Sequence, residues 1–78
     1  MEKKWKQENR IFETLWEAEM WADSIANEMV GKLYKTYITP DHKVAYVLAF
    51  NLASDPVVHV ITEKITAEGS SLYKITMN

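Results

Sequence analysis

Residues 44–50 read Val-Ala-Tyr-Val-Leu-Ala-Phe, seven apolar side chains in succession. At the two-residue period of a strand, Val44, Tyr46, Leu48 and Phe50 share one face and Ala45, Val47 and Ala49 the other. Both faces are apolar, so such a strand requires cover on both sides. Only one other stretch has a convincing helical period, and one short helix covers one face of a sheet. The second face is left to another partner.

Size sharpens that constraint. A chain of 78 residues is expected to form one small domain, near the length at which a single core barely offsets the entropy of ordering the chain. It has no cysteine, which removes disulfides and thiolate metal sites from consideration. An apolar fraction of 47% with 26% charged residues is that of a chain that folds. The formal charge of −2 is too small for long-range steering toward phosphate.

The charges are nonetheless uneven. Lys3, Lys4, Lys6 and Arg10 stand against Glu2 and Glu8 at the start, and residues 1–9 read as a flexible or strand-forming arm. From Thr14 to Val30 come Glu17, Glu19, Asp23 and Glu28 with no basic residue. Met1 is followed by charged residues, and the longest apolar run is far too short to span a bilayer, so the expected setting is the cytoplasm, without membrane contact.

Thr14 and Glu17 have the spacing of a capping box, and Ala18, Trp21, Ala22, Ile25, Met29 and Leu33 recur at intervals of three and four. This predicts an amphipathic helix over residues 15–32, closed by a left-handed Gly31. Residues 34–39 and 57–62 are rich in β-branched side chains, and 72–77 alternate. Pro40-Asp41-His42 and Ser54-Asp55-Pro56 read as turns, and 67–71 as a loop. The expected fold is therefore α+β, one amphipathic helix on a four- to five-stranded, mainly antiparallel sheet in the order β-α-β-β-β-β.

The chemistry-bearing residues are sparse. His42 and His59 have no histidine or cysteine at ligand spacing, so no metal is expected; His59, between Val57 and Ile61, reads as a buried, hydrogen-bonded strand residue. No serine has an adjacent base, and Gly31 and Gly69 are too far apart for a phosphate-binding loop, so neither catalytic residues nor a cofactor is expected.

Aromatic side chains carry more information. Trp21 falls on the core stripe of the predicted helix, whereas Trp16 and Met20 point well away from it. They would cover the N-terminal arm or meet another chain. The expected role is a non-enzymatic protein-interaction module, a homodimer or the binder of another protein, with its interface at Trp16, Met20, Tyr46, Leu48 and Phe50. A small accessory or inhibitor protein of phage or mobile-element type fits that size and lack of motifs. The alternative is a single-stranded nucleic-acid binder that stacks bases on Tyr34, Tyr37, Tyr46 and Tyr73 beside Lys35, Lys43 and Lys74.

Overall fold

The computed structural model describes residues 5–67 and 69–78. The chain runs β1 (Trp5–Gln7), α1 (Leu15–Val30), β2 (Thr36–Thr39), α2 (His42–Ala53), β3 (Val60–Ala67) and β4 (Ser70–Met77). Four strands form one mixed sheet in the order β1-β2-β4-β3. β1 is parallel to β2, the geometry a helical crossover allows, while β2–β4 and β3–β4 are antiparallel. The α+β class stands. The sheet is mainly antiparallel, as expected, with β1–β2 as its parallel pairing, while the single helix and the order β-α-β-β-β-β give way to two helices and the order β-α-β-α-β-β. Lys3 and Lys4 of the expected arm lie outside the described residues, and the arm from Trp5 onward begins as β1.

α1 forms where the capping signal places it. The Thr14 hydroxyl oxygen accepts the Glu17 backbone N–H at 3.2 Å, and the Thr14 hydroxyl donates in turn to the Glu17 carboxylate at 3.1 Å. Its buried stripe is Ala18, Ala22, Ile25 and Met29, with Leu33 exposed beyond the helix end. The left-handed residue at that end is Lys32, at φ 67°, and Gly31 has an ordinary φ of −73°. Lys32 N–H bonds to the Met29 carbonyl and Leu33 N–H to the Glu28 carbonyl, the two bonds of a Schellman motif.

The expected strand over residues 44–50 is a helix. Asp41 caps it, its carboxylate accepting the Lys43 N–H at 2.9 Å, and Val44, Ala45, Leu48 and Leu52 form the buried stripe. Val44, Leu48 and Leu52 recur every fourth position, a helical spacing that an alternating strand pattern conceals. Pro40-Asp41-His42 thus opens a helix rather than a hairpin, and β2 pairs with β1 and β4 instead of with a following strand. The third strand begins at Val60, later than expected. Gly69, at φ 79°, lies in the tight connection of the β3–β4 hairpin, so the expected loop over 67–71 shrinks to a turn.

Both helices lie on the face of the sheet that carries Tyr37 and Ile75, which pack with the apolar stripes of α1 and α2 into one core. Trp21 Nε1 donates to the Tyr37 hydroxyl at 2.9 Å and its ring meets Phe12 at 5.9 Å. Burial pushes the Tyr37 hydroxyl up to about 12, so it stays neutral and polar inside the core. Lys6 reaches over the rings of Trp21 and Tyr34 and pairs with Glu8 and Glu28.

Asp41 ties the segment before α1 to the start of α2. It is almost fully buried, and one carboxylate oxygen accepts the Phe12 N–H at 2.7 Å while the other takes the Lys43 N–H and ammonium. Burial alone would raise its pKa, but the Phe12 and Lys43 hydrogen bonds and the lysine charge hold the carboxyl below its ordinary 3.8. A folded-state pKa below the unfolded one gives stability that is present above the ordinary carboxyl value and lost as pH falls through the folded value. Urea melts at descending pH are therefore expected to show a loss of stability beginning below about pH 4 that Asp41→Asn largely removes. At neutral pH, Asp41→Ala is expected to cost about 3 kcal/mol, combining a lost cap with an orphaned Phe12 N–H. Lys32→Gly should raise the urea midpoint, relieving a left-handed non-glycine worth about 1 kcal/mol.

Candidate interaction surfaces

Four of the five expected interface residues stand on the outer side of the helical layer. Trp16 is 68% exposed and Met20 54% on α1; Tyr46 is 73% and Phe50 68% exposed on α2. Leu48 is the exception: it is 0% exposed and belongs to the core. Helical geometry explains the split, since residues four apart share a face and Leu48, two positions from each neighbour, turns inward. β1 lies along the sheet edge, and the two exposures show that it leaves Trp16 and Met20 uncovered.

Where α1 and α2 meet, a groove of about 450 Å³ opens to solvent, lined by Glu19 and Asp23 on one side and Tyr46, Val47, Phe50 and Asn51 on the other. Asn51 Nδ2 donates to Asp23 Oδ1 at 2.6 Å, fixing one carboxylate at the junction of the helices. Trp16 and Met20 each precede an acidic groove residue by three positions, one helical turn away. Apolar side chains and carboxylates therefore alternate across this surface.

A second cleft, about 530 Å³, separates α2 from the β3–β4 hairpin and is lined by Ala45, Ala49, Tyr73 and Ile75, with His42 and Lys64 among its polar members. It exists because α2 is too narrow to cover the hairpin out to its edge strand, β3.

The third surface is the sheet face that neither helix touches. Register places Trp5, Thr36, Thr76 and Ile61 in one cross-strand row, and Gln7, Ile38, Lys74 and Glu63 in the next, with Leu72 opposite Ile65 beyond them. Trp5 and Ile61 are more than half exposed, and the Thr36 and Thr76 hydroxyls lie 3.4 Å apart on this face. Lys74 and Glu63, directly opposed and of opposite sign, give the face no net charge. None of these residues is in the expected interface. The signal for them is the alternation within 61–65 and 72–76, but which alternate set faces outward depends on pairings made far along the chain.

The tyrosines expected to stack bases are not displayed together. Tyr34 and Tyr37 are buried, Tyr73 lies on the helix-facing side of β4, and Tyr46 is on α2. Lys43 is engaged by Asp41. Tyr34 donates to Glu28, and burial with that carboxylate beside it raises the hydroxyl above its ordinary range. His59 is exposed ahead of β3 rather than buried within a strand, and its backbone pairs with that of Asn78.

Among the described residues no group of three or more His, Asp or Glu could hold a metal ion, and every buried side-chain N or O has a hydrogen-bond partner. No helix of the described residues is long and apolar enough to cross a membrane. Asp41, whose carboxyl is held below its ordinary value, has its oxygens filled by Phe12 and Lys43, which makes it a structural group. The chain matches no protein-family model, no curated protein and no solved structure.

The burial pattern separates side chains that hold the fold from those that face outward. Leu48→Ala and Trp21→Ala are each expected to cost about 3 kcal/mol in urea melts, the first by a cavity and the second by lost packing and an unpaired Tyr37 hydroxyl. Trp16→Ala and Phe50→Ser should stay within about 0.5 kcal/mol of the parent. Equal losses in the two pairs would contradict this division.

Proposed function

We propose that this chain is a non-enzymatic protein-interaction module that self-associates, a small accessory protein of the cytoplasm that acts by contact alone. One observation carries the reading: the sheet has its helices on one face only, and its other face presents Trp5, Ile61 and Ile65 to solvent with Ile38 and Leu72 beside them. These apolar side chains share the face with Thr36, Thr76, Gln7, Lys74 and Glu63, and a third layer would bury them.

Charge favours a second copy as that layer. In a two-fold interface each protomer offers the same patch, so the patch must tolerate itself. The open sheet face does: its Lys74 and Glu63 can each meet the opposite sign on a partner. The helical layer, with Glu17, Glu19 and Asp23 and no basic residue along α1, would set acid against acid.

The size of the face sets the expected strength. Four strands span about 19 Å and the eight-residue strands run about 26 Å, so each copy contributes a few hundred Å², at the low end of specific interfaces. A micromolar dimer is expected. Light scattering after size exclusion, from low micromolar to near millimolar chain, should show the mass rising from one copy toward two. Ile61→Lys should abolish the rise without changing the melting temperature, and Trp16→Ala should leave it intact. A single-copy mass throughout the range would refute the reading, as would binding of single-stranded oligonucleotides that weakens steeply with salt while no dimer forms.

A further inference from the structure

The helical groove makes a different demand from the open sheet face. Tyr46 and Phe50 stand in water at its rim, and Trp16 and Met20 extend the apolar surface along α1. Exposed aromatic and methionine side chains gathered on one surface characterise contact sites. The groove also carries uncompensated negative charge. Among the described residues neither Glu19 nor Asp23 has a cation within ion-pair distance, since Lys6 is committed to Glu8 and Glu28, and Lys43 to Asp41.

We propose that this groove docks a basic amphipathic helix of another protein. Its apolar stripe would pack on Phe50, Tyr46 and Met20, and its lysines or arginines would face Glu19 and Asp23. The form of the occupant follows from the site, because a furrow between two packed helices accepts a third helix lying along it. The charge of the occupant follows from the two carboxylates, which repel nucleic acid and also oppose a second copy presenting the same acids. Asn51 strengthens the assignment: by holding the Asp23 carboxylate at 2.6 Å it reduces the ordering that a cationic partner would have to impose.

The test uses the full chain and two synthetic 18-residue helical peptides with the same leucine stripe, one with lysine and the other with glutamate at every polar position. By calorimetry, the lysine peptide is expected to bind one to one at least tenfold more tightly than the glutamate peptide. Glu19→Lys with Asp23→Lys should reverse that order, and Phe50→Ser should weaken the lysine peptide at least tenfold. Glu63→Lys, which alters net charge on the sheet face, should leave the preference unchanged. Circular dichroism confirms that each variant is folded, and Asp23→Asn, expected to weaken the lysine peptide severalfold, serves if the double reversal is not. Equal binding of the two peptides, or binding indifferent to both Phe50→Ser and the groove charges, would overturn the proposal. Loss of dimerisation in Phe50→Ser but not in Ile61→Lys would also overturn it, assigning the groove to a second copy.

Discussion

The carboxylate of Asp41 is the point at which the two halves of the molecule are joined. Burying an ionised carboxyl costs several kcal/mol unless its lone pairs are filled, and here the Phe12 N–H, the Lys43 N–H and the Lys43 ammonium fill them. The same bonds fix where α2 starts and how the chain enters α1. From there the two stripes of small and branched apolar residues, Ala18, Ala22, Ile25 and Met29 against Val44, Ala45, Leu48 and Leu52, close over Tyr37 and Ile75. Three of those positions are alanine, and Trp16, Met20, Tyr46 and Phe50 of the same two helices stand on the outside.

The sequence discloses the start and the buried stripe of α1, because a cap and a period agree, while the left-handed stop falls on Lys32 and not on Gly31. It misleads over α2 for a definite reason. Residues 44–50 satisfy a two-residue alternation as well as they satisfy a helical period, and Leu52 shares a face with Val44 and Leu48 under either. The spacing of Pro40 and Pro56 is a signal that separates the two, since it encloses residues 41–55, nearly three times the length of an ordinary strand. The surface residues survive that error because positions 46 and 50 share a face in a strand and in a helix alike. Position 48 joins them only in a strand, which is why Leu48 alone crosses from surface to core. Trp16 and Met20 are legible from their angle on α1. The open sheet face is not, because Trp5, Ile38, Ile61 and Leu72 are brought into line by register between segments far apart in the chain.

Two uncovered surfaces of unlike character divide the recognition problem. The sheet face mixes apolar and polar side chains and is electrically balanced, the character that the proposed self-association uses. The helical groove is apolar and acidic, the character that the proposed docking of a basic helix uses. They lie on opposite sides of a thin two-layer molecule, so one can be occupied without closing the other. A dimer stacked through its sheets would display two acidic grooves facing away from each other, and the linked sites would gain avidity toward any partner with paired basic helices.

β3 borders the sheet with no strand beyond it among the described residues, and its open backbone edge invites growth by strand addition. Two copies joining along that edge by a two-fold axis must keep their helices on the same side. Directly opposed residues then belong to the same alternate set, and every register centres on a residue facing its own twin. The two registers that overlap the strand most fully centre on Glu63 and on Lys64, so each sets a charge against its like. The pair of charges in the middle of β3 thus opposes two-fold pairing of two copies along the sheet's border.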